Sequence, residues 1–274
     1  MTMSLQQKKD QNLLYLTLNR PARANSLDPP TIVALRQAFI DAQSNPDIKV
    51  IILSGTGDRD FTTGIDITAA APLGTEAIGN IANTAGDIAT LIYYGKPTII
   101  AINGRAMGMG GLFAAAADYR LIHEKAYIRM PEINIPVFPG GTAMAIFTRV
   151  CGISWTKRIF MLSKSLSANE ALQANLVDEI TVNQKMLQQR AREVAEEFAG
   201  KHSAVIKGIK LATSNALDLS YSEVLELESQ LTDFYDWNSE DQALAKIAKQ
   251  FNIQYQLKGD PDRLLIDYQK SLGK

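Results

Sequence analysis

The sequence predicts an α/β fold with an all-helical C-terminal end. Three observations carry this. Short apolar runs that read as strands alternate with stretches of helical periodicity through the first two thirds of the chain. Two of those runs lead into glycine-containing turns, residues 61–67 and 104–111. After about Asn183 only helical periodicity remains. Strand–helix–strand alternation with short links favours parallel strands joined by right-handed crossovers.

The elements follow in order. Residues 13–19 place Leu14, Leu16 and Leu18 on one face, the period of a half-buried strand. Asp28 before Pro29 and Pro30 is a helix start: its carboxylate accepts from free N–H groups of the first turn, and proline arrives with φ already set. That helix carries Ile32, Leu35, Ala38 and Phe39 at helical spacing, and Asn45-Pro46 stops it. Residues 49–54 (KVIILS) read as a buried strand, followed by a loop over 55–66 with three glycines. A helical stretch covers roughly 75–93. Lys96-Pro97 introduces a second apolar strand, 98–102. The run Asn103-Gly104-Arg105-Ala106-Met107-Gly108-Met109-Gly110-Gly111 then opens a helix over 112–117, and a short strand follows over 119–123. Helical segments at 183–200, 204–217, 221–237 and 240–251 and a tail helix after Gly259-Asp260-Pro261 complete the chain. We expect an α/β core over residues 1–195 and a helical C-terminal region, residues 196–274, that serves docking or oligomerisation. There is no internal repeat.

Composition bounds the function. The 274 residues are 46% hydrophobic and 21% charged, ordinary for a globular chain that buries a sizeable core. A net charge of −1 provides no global field to attract nucleic acid or anionic lipid, and neither partner is expected. Cys151 is the only cysteine, so no intrachain disulfide forms. Residues 1–10 lack the apolar core of a signal peptide, no run is long enough to span a bilayer, and Ser271-Leu272-Gly273-Lys274 is not a peroxisomal signal. The expected location is the cytoplasm.

The chemistry lies in the two turns. Each places free backbone N–H groups at a strand end, and the second also opens a helix, whose N-terminus carries unsatisfied donors and partial positive charge. Two such N–H groups converging on one point would form an oxyanion hole. Either turn alone is explained by glycine's tolerance of tight bends. A phosphate cradle fits poorly, because Gly-Lys-Ser/Thr is missing and Gly-x-Gly-x-x-Gly spacing is not cleanly met. Glu132, between Pro131 and Ile133-Asn134-Ile135-Pro136, is a candidate buried base; local sequence alone is equally compatible with an exposed glutamate. His123 and His202 have no neighbours at metal-site or triad spacing, and Cys151, Trp155 and Trp237 read as packing residues. Lys185, Arg190 and Arg192 interleave with Glu193, Glu196 and Glu197 as a solvated helix face.

The two turns, in this order and spacing, resemble the crotonase superfamily, the enoyl-CoA hydratases and isomerases. The resemblance begins at Leu18-Asn19-Arg20-Pro21 and Asn25-Ser26-Leu27. It continues through residues 50–54 and 61–66 and is strongest over 97–118. It runs on through Pro131-Glu132, Pro139-Gly140-Gly141, Ser167-Ala168-Asn169-Glu170-Ala171 and Leu176-Val177-Asp178. It implies a crotonase-like spiral of ββα units with a helical C-terminal trimerisation region, assembled as a homotrimer or a dimer of trimers. It implies an acyl-CoA thioester substrate within fatty acid metabolism, with coenzyme A as carrier and no metal or redox cofactor. The oxyanion donors fall on the main-chain N–H groups of Ile65 and Met109, and the base on Glu132. Arg23, Ala24, Ser26 and Leu27 would lie along the CoA adenine and phosphates, Asp66, Ile67 and Thr68 beside the pantetheine, and Thr63 and Gly64 would also belong to the substrate and CoA site. Gly108 would belong to the same substrate site and Leu112 would lie at the acyl β-carbon, with the acyl pocket lined from residues 69–94.

One departure from the family pattern sharpens the reading. The hydratases carry a second glutamate just after the glycine run; here Leu112 stands there, and residues 112–117 hold no ionisable group. Adding water calls for two acid/base groups, whereas moving a proton between two carbons of a bound enolate needs one. The leading expectation is therefore an enoyl-CoA isomerase-like double-bond shift. The alternatives are an enoyl-CoA hydratase or another crotonase-type lyase reaction and, from a different class, a non-catalytic scaffold that binds acyl-CoA or a protein partner.

Overall fold

Strand formation begins earlier than the sequence predicts. In the computed structural model, which describes residues 3–135, 137–232 and 240–273, β1 (Leu5–Asp10) pairs antiparallel with β2 (Leu13–Leu18). Only Leu5 of β1 is buried, so the strand shows no alternation to read. Its lysines and glutamines line a sheet edge, where charge discourages pairing with another chain. Helix α1 (Pro29–Ser44) starts as expected: the Asp28 carboxylate accepts from the Thr31 N–H at 3.0 Å.

Three units then repeat one plan. The first is β3 (Val50–Gly55), β4 (Asp60–Thr62), a single-turn helix α2 (Ile67–Ala70) and α3 (Gly74–Tyr94). The second is β5 (Thr98–Ile102), β6 (Arg105–Met107) and α4 (Met109–Ala116). The third is β7 (Tyr119–His123), β8 (Tyr127–Arg129) and α5 (Ala143–Leu162). β9 (Leu166–Ser167), α6 (Ala168–Gln173), β10 (Glu179–Thr181) and α7 (Gln184–Ala199) follow. The strands form a six-stranded sheet in the order β1-β2-β3-β5-β7-β10 and a four-stranded sheet in the order β4-β6-β8-β9. Each unit thus gives one strand to each sheet and then a helix, the spiral of ββα units that the resemblance implies. β4, β6 and β8 replace what the sequence reads as loop; at three residues each they are too short to display a period.

Parallel register sets up the site. β3 pairs with β5 from Ile51↔Thr98 to Ser54↔Ala101, so the turns after both strands emerge side by side. Both strands are buried throughout, which is why they read as continuous apolar runs. One face packs on Phe39, Phe61, Phe113 and Phe147. The other is covered by α7, whose Leu187, Ala191, Val194 and Ala195 recur at helical spacing over Leu13, Val50, Ile52, Ile99 and Leu121. Burying Leu187 or Val194 stabilises by about 1.5–3 kcal/mol each. Because α7 crosses the 195/196 boundary as one packed helix, the sheet-covering unit ends at Ala199 instead of residue 195.

The remaining helices are α8 (Ser203–Asn215), α9 (Tyr221–Thr232), α10 (Glu240–Gln250) and α11 (Pro261–Ser271). α8 is tied to the core by buried Lys210, which donates to Asp118 at 2.6 Å and to the Ile92 carbonyl at 3.0 Å. α11 packs against α1 and α3 of its own chain, with Leu264 fully buried in the main core. The link before it is latched by Asp87, which accepts from the N–H groups of Lys258 (2.6 Å) and Gly259 (3.0 Å) and from Arg36 (2.8 Å). The tail helix therefore belongs to the core of its own chain. On α9 only Leu227 is buried among Val224, Leu225, Leu227 and Leu231, and Leu225 is 49% exposed; Phe234 and Trp237 lie outside the described residues. Among the described residues no helix is long and apolar enough to cross a membrane.

Candidate active site

The first turn is held from three sides. Buried Asn103 accepts from Gly55 N–H at 3.0 Å and donates to the Gly57 and Asp60 carbonyls. Buried Asn25 donates to the carbonyls of Thr56 (3.0 Å) and Asp60 (2.8 Å). Burial alone would raise the Asp60 pKa, but hydrogen bonds and charge from Arg105 and Arg59 outweigh it and leave the carboxyl below its ordinary value. After β4 the chain turns at Gly64, φ +81°, a left-handed conformation that glycine adopts freely. The Gly64 carbonyl accepts from Leu27 N–H (2.8 Å), and Asp66 N–H donates to the Leu27 carbonyl (3.0 Å). The Gly64 carbonyl and the Asp66 N–H are thus spent, and the Ile65 N–H, opposite that carbonyl across a trans peptide, points away from Leu27.

The second turn bends at Gly108, φ +52°, and makes Met109 the first residue of α4, where the N–H has no intrahelical acceptor. Among the described residues neither Ile65 N–H nor Met109 N–H donates a hydrogen bond. The two turns touch: a Cβ added at Gly64 would lie 2.9 Å from the Met107 carbonyl oxygen and 3.3 Å from the Met109 nitrogen. The pair of free donors read from the sequence is brought to one place, with the positive end of α4 behind it.

Glu132 opens a 3-10 turn, Glu132–Asn134, just after β8. Its Oε1 lies 3.2 Å from where a Gly108 Cβ would be, so the carboxylate faces the same turn. Its Oε2 is buried without a hydrogen-bond partner, and burial raises the carboxyl pKa above the usual range. Among the described residues Glu132 is the one ionisable group lining a narrow cavity of about 60 Å³. The other walls are Ile65, Gly108, Met109 and Leu112 from the two turns and α4, Ala82 and Ala85 from α3, Met130, and residues 137–140 with Ala143. Leu112, one helical turn beyond Gly108 and 3% exposed, presents an apolar side chain to this space.

The expected CoA contacts divide into two sets. Arg23, Ile67 and Thr68 are exposed and Ala24 and Thr63 partly so. Ser26, Leu27 and Asp66 are buried and serve as frame. Leu27 spends both backbone groups on the bridge to residues 64–66. Asp66 accepts from Arg20 (3.0 Å) and Ser26 (3.3 Å) and caps α2 through Ala69 N–H. Burial pushes the Asp66 pKa up, but Arg20, the Ala69 amide and Arg23 more than reverse this. The sequence offered no sign of Arg20 as a clamp between Asp28 and Asp66, each at 3.0 Å. Nor did it reveal Tyr268 of α11, whose pKa is raised by burial and by Asp28 and responds to Arg20, Asp66 and Arg23. Both placements depend on residues far apart in the chain. Ala82 and Ala85 do fall in the stretch expected to line the acyl pocket. Cys151 is buried packing, its thiol pushed up to about 12.

The family model described as enoyl-CoA hydratase/isomerase matches residues 8–251. Carnitinyl-CoA dehydratase of Salmonella typhi is 30% identical over 211 residues, 77% of this chain and 80% of that protein. The crystal structure of enoyl-CoA hydratase from Bacillus anthracis superposes with a TM-score of 0.81 at 24% identity, covering 94% of this chain and all of that one, a likeness of fold. Pseudomonas aeruginosa DspI superposes with a TM-score of 0.78 at 25% identity, covering 89% of this chain and 95% of that one.

Proposed function

Since the chain belongs to the enoyl-CoA hydratase/isomerase family, we propose that it shifts the double bond of an enoyl-CoA through an enolate, with Glu132 as the single base. The thioester oxygen sits between the N–H groups of Ile65 and Met109. The ionised Glu132 carboxylate removes a proton from C2 of a 3-enoyl-CoA. The electrons move onto the oxygen, where two preorganised donors stabilise the charge by several kcal/mol. The protonated Glu132 then returns the proton to C4, the C2–C3 double bond forms, and the carboxylate is restored. Burial suits this role, because a raised pKa makes the carboxylate a stronger base and the acid a persistent proton carrier.

The observation that carries the reading is the company Glu132 keeps: one carboxylate in an apolar cavity with Leu112 where a second acid/base group would stand. An apolar wall keeps water from the β-carbon, so proton return to carbon is favoured over hydroxide addition. The likeness to carnitinyl-CoA dehydratase favours hydration or dehydration as the second reading. Incubating the protein separately with 3-enoyl-CoA and 2-enoyl-CoA, and measuring the shifted double bond and 3-hydroxyacyl-CoA independently, decides between them. Fast hydration without a double-bond shift would sink the isomerase reading. The exposed apolar residues Leu217, Tyr221 and Leu225 support a homotrimer or dimer of trimers, which light scattering at micromolar concentration tests.

A further inference from the structure

We infer that Thr62 is a positioning residue that sets the separation of the two oxyanion donors, an inference that rests on the acyl-CoA reading above. Thr62 ends β4, is fully buried and touches both turns. Its hydroxyl works on the first: it donates to the Asn25 carbonyl at 2.7 Å and accepts from Gly64 N–H at 3.1 Å. That second bond holds the N–H end of Gly64, the residue whose carbonyl, bonded to Leu27 N–H, shares a trans peptide with the unbonded Ile65 N–H. Its methyl works on the other turn: a Cβ added at Gly110 would lie 2.8 Å from Thr62 Cγ2 and 2.9 Å from the Thr62 carbonyl oxygen. The backbone just beyond Met109 therefore rests on the Thr62 methyl. One side chain orients the first donor and stops the approach of the helix that carries the second.

The chemistry of an oxyanion hole makes this spacing matter. The donors must match the position of the enolate oxygen, which differs from that of the ground-state carbonyl, so misplacement affects turnover more than binding. Serine at this position keeps the hydroxyl and removes the spacer. Valine keeps the spacer and removes the hydroxyl, leaving Gly64 N–H and the Asn25 carbonyl without it.

The test uses both variants of the full chain and two readouts. Turnover of the enoyl-CoA substrate gives kcat and KM separately. Infrared spectroscopy of bound butanoyl-CoA, labelled with ¹³C at the thioester carbonyl, reports polarisation by the donors; this saturated ester cannot be isomerised or hydrated. For Thr62→Val we expect KM within a few-fold of wild type, kcat lower by about 10- to 100-fold, and the carbonyl stretch displaced toward its frequency in water. For Thr62→Ser we expect a smaller loss of kcat in the same direction. Wild-type kcat and carbonyl frequency in folded Thr62→Val would overturn the role of the hydroxyl, and the same result in Thr62→Ser the role of the spacer. Should Thr62→Val not fold, Thr62→Ala takes its place: it differs from Thr62→Ser by the hydroxyl alone, so equal kcat and carbonyl frequency in those two would overturn the hydroxyl's role, while Thr62→Ser still decides the spacer. A wild-type complex with an unpolarised carbonyl would instead overturn the oxyanion-hole reading itself.

Discussion

Replacing Met109 by proline removes the N–H, the proposed second oxyanion donor, together with the buried side chain, so Met109→Ala serves as the side-chain control. The position tolerates it. Met109 is the first residue of α4, where proline is favoured because the N–H has no helical partner and φ is already suitable. A following proline disfavours the α region for the residue before it, and Gly108 at φ 52°, ψ −111° lies far from that region in a conformation open to glycine. The helix should therefore form. Loss of one donor costs about 3 kcal/mol of transition-state stabilisation, which at 1.36 kcal/mol per decade is about 150-fold in kcat. Met109→Ala keeps the N–H and loses a side chain that is only 7% exposed, so it should cost about 2–3 kcal/mol of stability while retaining most activity. Initial rates, thermal unfolding and calorimetric binding of a CoA ester on both variants give the answer. Equal loss of kcat in both folded proteins would refute the reasoning, because the side chain would then be what matters.

Three further outcomes are expected. The rate should rise with pH along a limb lying above the ordinary glutamate range, as Glu132 must be ionised and burial raises its pKa. In stability the sign follows: a raised folded-state pKa favours the native state below the unfolded pKa, and that advantage is lost as pH rises through the folded pKa. Glu132→Gln should thus abolish turnover yet gain stability relative to wild type between acid and neutral pH; denaturant titrations at both ends check this, and a gap that does not change with pH contradicts it. Asp87→Ala leaves Arg36 and two backbone N–H groups without their acceptor and should cost about 3–5 kcal/mol, opening residues 251–260 to limited proteolysis; a tail as protected as in wild type would show that the latch is dispensable. Lys210→Met strands Asp118, held away from water, and should cost a similar 3–5 kcal/mol in urea unfolding, part of which Asp118→Asn restores in the double variant; simple additivity would mean the two side chains are not coupled.

What the sequence determined by itself was whatever each segment carries in its own residues. The cap at Asp28, the stop at Asn45-Pro46, the buried strands before both glycine turns and the presence of a helix after the second turn are written locally, because a cap needs only the next three residues and a buried strand only its own apolar run, although that helix starts at Met109, three residues before the expected 112. Motif resemblance then marked Ile65, Met109 and Glu132 for one site. Tertiary structure decided everything that depends on a distant partner. Short strands β4, β6 and β8 exist because parallel neighbours supply hydrogen bonds that three residues cannot announce. Ser26, Leu27 and Asp66 became frame because Gly64 and Arg20 claim their polar groups first. The tail helix joins its own core because Asp87, more than 170 residues before Gly259, accepts its backbone N–H groups. The raised pKa of Glu132 is of the same kind: a carboxylate's charge is penalised only when other chain segments exclude water from it, and no stretch of sequence around residue 132 specifies which segments those are.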